Sequence, residues 1–328
     1  ILALHGTVLD GFVVAGASKR GWTTWLTGAV DSRVKAIAPI VINVLNMQPH
    51  LKHHRQVYGY WSEAIYDYAQ ERVFDRLISF NEDFEVGPGP RTLLEYMDPY
   101  EYSQRGRYPM PKFLLNATGD EFFVPDTAEY YFHDLEGDAH MSYVPNVGHG
   151  MGGFSDGADL TDPNNPTGML LAWYMTVTQG KQLPEFSYTF EDNGTIRVAV
   201  DANNPPVAAR LWQATAVGSR DFRDPKLGDA WTSSNLTRQT GGETGAYYVT
   251  PPIPAPDAGN YTAYFVQLEY NNTAVVPVEL RVPLQSAGYT TPRMVFSTGV
   301  RVTPEEYPEF TGYLANDDPT DAVSFDES

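Results

Sequence analysis

The sequence predicts an α/β protein in two parts, a parallel sheet wound with helices followed by an all-β sandwich of immunoglobulin or fibronectin type. Three observations predict it. Apolar, strand-like runs end in Gly16-Ala17-Ser18, in Thr118-Gly119-Asp120 and in Gly148-His149-Gly150, with helical or loop segments between them, the pattern of successive strand–helix units in a parallel sheet. After Leu183-Pro184 the pattern changes to short alternating strands separated by turn residues, which argues for an antiparallel sandwich. The chain has 328 residues, 42% hydrophobic and 19% charged, enough for two folded domains and unlike a disordered polymer.

In order, residues 11–16 read as a strand and 19–29 as the helix behind it, with the next buried strand over 34–41. From 48 to 107 the sequence turns aromatic and helical, with Tyr58, Tyr60, Trp61, Tyr68 and Phe74 at mixed helical spacing and a Pro-Gly-Pro break near 88. An insertion of this kind between strands is expected to cap the site, its aromatics packing cap to core in preference to forming a substrate platform. Strands then begin near 111 and 139, and a helix is expected over 172–180. The predicted domains are 1–182, 183–303 and an acidic tail over 304–328, where Glu305, Glu306, Glu309 and several Asp residues occur without Lys or Arg. The second part contains a hairpin about Asp192-Asn193-Gly194 and strand-like runs near 207–215, 245–252, 260–272 and 274–283. Its Trp212, Phe222 and Trp231 are expected in its core or against the first domain, and its expected work is docking and substrate presentation.

Ser18 lies on a strand-to-helix hinge. A hinge of this kind holds a hydroxyl clear of its own backbone, and the helix start aims free amides at developing negative charge. Gly16 and Ala17 supply the small residues that such a turn needs, although the usual glycine two places after the serine is replaced by Arg20 and comes one place later, as Gly21. A nucleophilic serine needs a base and an acid. Asp120 and His149 follow later strands in the order Ser, Asp, His, and side chains just past the C-terminal ends of parallel strands converge on one crevice. The expected roles are nucleophile for Ser18, general base for His149 and imidazole-orienting acid for Asp120, with Glu121 and Asp126 near enough in sequence to compete for the last. The Lys19 amide is the first oxyanion donor, and the second is expected from a loop after an earlier strand. His5-Gly6 reads as a connector between a helix end and the strand.

The blocks GASKRGWTTWLTGAVDSRVKAIAP, NATGDEFFVPD, PNVGHGM and LWQAT…SRDFRD resemble the PhoPQ-activated pathogenicity-related protein family over about residues 1–285. The resemblance implies an α/β-hydrolase domain followed by a β-sandwich, export from the cell, and esterase-like or peptidase-like activity through Ser18, Asp120 and His149. The Ser18-Lys19-x-Gly21 pattern is also similar to that of glucuronoyl and acetyl-xylan esterases, which implies a side-chain role for Lys19 at the oxyanion. Strands expected on the far side of the nucleophile strand are absent from the sequence, so the chain is expected to be the C-terminal portion of a longer protein, partnered by its own missing N-terminal segment.

The net charge of -19 argues against nucleic acid and anionic membranes as partners. No membrane-length apolar stretch is visible, and the absence of cysteine removes thiol chemistry and disulfides. Sequons at Asn193, Asn235, Asn260 and Asn271 are expected glycan sites of a secreted protein, whereas Asn116, at a strand end, is expected to be a core residue. His50, His53 and His54 have metal-compatible spacing but no third ligand, so a surface cluster is expected and neither metal nor cofactor is assigned. Lys52, Arg55, Arg105 and Arg107 suggest a locally basic cleft favouring an anionic substrate or a peptide C-terminus. The expected partner is an ester or peptide substrate; the competing class is a non-catalytic extracellular glycoprotein that binds a protein or glycan.

Overall fold

The computed structural model describes residues 3–4, 7–77, 91–152, 162–241, 245–275 and 293–308. Two short strands, β1 (Ala3–Leu4) and β2 (Thr7–Val8), pair antiparallel where the sequence suggested a helix end; His5-Gly6 lie outside the described residues. The strands β3 (Phe12–Ala17), β4 (Val34–Ile40), β5 (Lys112–Ala117) and β6 (Ala139–Val144) then form one sheet in that order, every pairing parallel.

Its inner strands read as continuous apolar runs because both faces are covered. On one face α1 (Lys19–Val30) sends Trp25 and Ala29 into a cluster with Ile37, Leu114 and Met141. On the other, Met169, Ala172 and Trp173 of α7 (Pro166–Thr178) pack with Ala36, Ala38, Phe113 and Leu115. This helix begins six residues earlier than the sequence suggested. Asn165 caps it by accepting from the Gly168 amide at 3.0 Å, with Pro166 at the first helical position.

Between β4 and β5 lie the helices α2 (Met47–Tyr58), α3 (Tyr66–Gln70), α4 (Val73–Leu77), α5 (Arg91–Met97) and α6 (Pro99–Ser103). Asp98 organises their base. Its buried carboxylate accepts from the amides of Asn46 (3.2 Å) and Met47 (2.7 Å) at the start of α2 and of Tyr100 (2.9 Å) in α6, so one side chain serves two helix N-termini. Burial nevertheless pushes its carboxyl up to about 6.

The remaining strands are β7 (Phe186–Phe190), β8 (Ile196–Asp201), β9 (Ala208–Ala216), β10 (Thr232–Asn235), β11 (Gln239–Thr240), β12 (Gly245–Val249), β13 (Tyr261–Asn271), β14 (Arg293–Ser297) and β15 (Arg301–Thr303), with the short helix α8 (Asp224–Leu227) between β9 and β10. They form two antiparallel sheets, ordered β11-β12-β8-β7 and β10-β9-β13-β14, with β15 also on β13. The β7–β8 hairpin turns through Gly194 at φ 82, which glycine adopts without strain. Both hydrophobic clusters run through the parallel and antiparallel parts: Trp212, Phe222, Trp231 and Phe265 join the Trp25 cluster, while Val198, Leu211 and Tyr264 join the Trp173 cluster. The β6 edge is covered by β14, where the Ser297 hydroxyl accepts from the Tyr143 amide at 3.2 Å and Phe296 meets Phe113 edge-on. Most of the run 274–283, the break near 88 and the tail from 309 lie outside the described residues.

Candidate active site

Ser18 sits immediately past β3 with φ 56 and ψ -126, a conformation that non-glycine residues avoid and that marks stored backbone strain. Its neighbours make the turn possible. A Cβ on Gly16 would lie 2.6 Å from the Arg20 carbonyl oxygen, and one on Gly21 would lie 2.5 Å from Ile42 Cγ2. The hinge is therefore closed by the helix backbone on one side and by the β4 exit on the other. The Ser18 amide donates to the Ile40 carbonyl at 2.9 Å, and its side chain makes no cap on α1, which leaves the hydroxyl uncommitted at the helix start and the first-turn amides unpaired within the helix. Lys19 is exposed, with its ammonium over the Tyr68 ring at 5.5 Å.

Asp120 follows β5 and His149 follows β6, on the sheet rim that carries Ser18. His149 Nδ1 donates to both Asp120 carboxylate oxygens, at 2.9 and 3.0 Å. Asp120 Oδ1 also accepts from the amides of Phe122 (2.8 Å) and Phe123 (3.2 Å). Burial raises the Asp120 carboxyl above its ordinary value, against the opposing pull of His149 and the two amides. The Phe122 ring lies over the imidazole at 4.2 Å between centroids. His149 Nε2 is buried without a hydrogen-bond partner among the described residues, so the ring's second nitrogen is available for proton transfer.

The three neighbouring acids have separate work. Glu121 accepts from the His149 backbone amide at 2.6 Å, and its carboxylate lies so close to Gly148 that a Cβ there would fall 2.7 Å from Glu121 Oε1 and push that side chain aside. Asp126 instead accepts from the imidazole of His53 at 2.8 Å and the guanidinium of Arg220 at 2.7 Å. Burial alone would raise the Asp126 carboxyl, but these two partners hold it well below the usual carboxylate range. Sequence proximity could not separate these acids; the direction of each backbone turn does.

The histidine triplet corrects the expected surface cluster. His50, His53 and His54 are 3%, 1% and 0% exposed: α2 lies beneath the site with His50 near Phe123 and His54 accepting from the Ser62 amide. Burial lowers His50 to about 3 and holds His54 well below its usual range, with neighbouring imidazoles adding to both. His53, Asp126 and Glu129 place three donor atoms within 4.8 Å of one another. Within that set the Arg220 guanidinium already pairs with Asp126 at 2.7 Å, so His53, Asp126 and Arg220 form an ion-pair network.

The expected basic cleft is also corrected. Arg107 donates to the Ala29 carbonyl at the end of α1, Arg105 pairs with Glu101 on the surface, and Arg55 is buried with its guanidinium over Trp61. Among the sequons, Asn193, Asn235 and Asn271 are exposed, Asn260 is half-buried and Asn116 is buried. No described helix is long and apolar enough to cross a membrane. The sequence reading missed Arg220, Arg223 and Asn146. The only signal of Arg220 and Arg223 was the block SRDFRD, and that of Asn146 its place in PNVGHGM; neither carries chemistry until its partners are known.

A parallel sheet carrying a strained serine hinge and an acid–histidine pair along one rim has the architecture of an α/β hydrolase. The chain belongs to the PhoPQ-activated pathogenicity-related protein family, whose profile matches residues 2–223. It is 33% identical over 279 residues to autocrine proliferation repressor protein A of Dictyostelium discoideum, covering 80% of this chain and 52% of that protein; it thus spans about half the length of this relative. Among solved structures it is similar to acetyl xylan esterase 1 from Thermoanaerobacterium (19% identity, 45% of this chain and 43% of that one, TM-score 0.33). It is also similar to the acylaminoacyl peptidase of Pyrococcus horikoshii (16% identity, 44% and 21%, TM-score 0.30).

Proposed function

We propose that the protein is a serine hydrolase that cleaves an ester or amide bond through an acyl-enzyme. The observation that carries the reading is the imidazole of His149, held by both oxygens of Asp120 with its other nitrogen free. In this mechanism Nε2 takes the Ser18 proton as Oγ attacks the substrate carbonyl, and Asp120 steadies the imidazolium that forms. The oxyanion of the tetrahedral intermediate faces the start of α1, where the Lys19 amide donates to it and the helix dipole favours it. Collapse expels the leaving group, which takes the proton back from His149, and water repeats the sequence on the acyl-serine. A fluorophosphonate probe tests this directly. Labelling should map to Ser18 and vanish in Ser18→Ala and His149→Ala; an unreactive Ser18 in the folded protein sinks the reading.

A second reading, a non-catalytic extracellular protein on a hydrolase fold, draws on the name of the amoebal relative and on the lack of a Ser18–His149 hydrogen bond. The same labelling separates the two. For the chain beyond the catalytic part, we read the two antiparallel sheets as an immunoglobulin- or fibronectin-type sandwich, on the strand orders β11-β12-β8-β7 and β10-β9-β13-β14. We read the protein as secreted with glycans on Asn193, Asn235, Asn260 and Asn271; the exposure of Asn193, Asn235 and Asn271 supports glycosylation there, while Asn260 is half-buried. Expression through a eukaryotic secretory route followed by glycosidase treatment tests it, and an unchanged mass overturns it.

A further inference from the structure

The strands β9 and β10 pair as a hairpin, Gln213 opposite Thr232, yet residues 217–231 join them, far more than the roughly two to five residues such a turn needs. Three contacts account for that length. At one end of the loop that carries Asp120, the Asp224 amide donates to the Gly119 carbonyl at 2.8 Å; Gly119 must be glycine, because a Cβ would meet that same nitrogen at 2.9 Å. At the other end, Arg220 grips Asp126 at 2.7 Å, both side chains being about 95% buried. The loop that carries His149 is held as well: Asn146 Nδ2 donates to the Trp231 carbonyl at 3.0 Å, and the Trp231 amide donates to Asn146 Oδ1 at 2.8 Å.

Arg223 adds a fourth hold from the cap side. Its guanidinium donates to Glu63 and Tyr60 at 2.7 and 2.6 Å and lies over Tyr58. Between Tyr60 and Glu63, the Ser62 hydroxyl donates to the Glu121 carbonyl at 3.0 Å, and the Glu121 carboxylate accepts from the His149 amide.

We propose that the 217–231 connection is the positioning element of the Asp120–His149 pair, with Arg220, Arg223, Asn146 and Trp231 as positioning residues. The antiparallel part therefore completes the catalytic rim and does more than dock a substrate. The two loops bond to each other, the Gly119 amide to the Val147 carbonyl at 3.0 Å and the His149 amide to Glu121 at 2.6 Å, and the connection braces that pair from outside. Asp120 and His149 stand at the ends of separate strands, and an acid–base pair works only when its geometry is held to within a fraction of an ångström. The consequence for rate rests on the hydrolase reading; the geometry does not.

The test is the low-field proton resonance of His149 Nδ1–H in its bond to Asp120, recorded together with the rate of fluorophosphonate labelling at Ser18. Two variants remove different holds. Asn146→Gly deletes only the bracket to Trp231, since glycine accepts the φ of 57 found there, and Arg220→Gln breaks the grip on Asp126. Each should weaken or exchange-broaden the resonance and slow labelling by ~10- to 100-fold, with Arg220→Lys recovering part of both. Val266→Ala, buried in β13 away from these loops, should lower thermal stability and leave the resonance unchanged, which separates positioning from general stability. An unchanged resonance in folded Asn146→Gly, or no such resonance in the parent chain, overturns the proposal. A parent chain with the resonance but inert to the probe would defeat the hydrolase reading and leave the positioning intact.

Discussion

Ser18 at φ 56 is one of several rim residues in a disfavoured backbone conformation, with Val41, Asn146 and Met151, and its constraint is imposed by what surrounds it. The two hinge glycines are not equivalent. A methyl at residue 16 meets main-chain atoms of Arg20 at 2.6 and 2.7 Å, which cannot move without unwinding α1, whereas one at residue 21 meets the Ile42 Cγ2 methyl at 2.5 Å and main-chain oxygens only at 3.0 and 3.1 Å. Gly16→Ala should accordingly cost about 1–3 kcal/mol or more, and Gly21→Ala less, as measured by urea denaturation; equal costs would contradict the geometry. Asp98 gives a second test. Asp98→Ala abandons three backbone amides at two helix starts and should lose ~2–3 kcal/mol, while Asp98→Asn keeps an acceptor and should lose clearly less.

At the scale of elements, α2 decides how the protein responds to acid. His50 and His54 titrate below their ordinary value when folded, so the unfolded chain binds more protons below about pH 6.5 and stability falls as pH drops from there toward 3. The depressed Asp126 acts in the same direction at lower pH, and its contribution is lost only as acid reaches its own low range. Asp98, raised to about 6, opposes them, adding stability as pH falls from 6 to its unfolded value near 3.8. Melting temperatures recorded from pH 7.5 to 4.5 should therefore decline, less steeply in His50→Gln and more steeply in Asp98→Asn. The spacing of these histidines was legible in the sequence, but their burial was not. What covers α2 comes from remote stretches: Phe123 and Asp126 past β5, and Tyr307 near the end of the described chain, which bonds His53 at 2.9 Å.

Across the whole molecule, the parallel and antiparallel parts share both hydrophobic clusters. A boundary near Leu183-Pro184 is visible in the sequence because strand periodicity begins there. Common cores nevertheless predict common unfolding. Calorimetry should give one cooperative transition with calorimetric and van't Hoff enthalpies in agreement, and two resolved peaks would show the parts to be independent. The net charge of -19 bears on solubility and choice of partner more than on this cooperativity, since its carboxylates are largely solvated.

The sequence alone determined the parallel strands, the serine hinge with its glycines, and the order in which serine, acid and histidine leave the sheet. These are local matters of periodicity, steric size and strand polarity, written in residues close together along the chain. Which of Asp120, Glu121 and Asp126 meets the imidazole, that three histidines lie buried, and that a distant hairpin connection bonds to the Asp120 and His149 loops were decided only by the tertiary structure. Each depends on the approach of segments remote in the chain, as much as 254 residues apart for His53 and Tyr307, and hydrogen-bond direction and desolvation are fixed only once those segments have met.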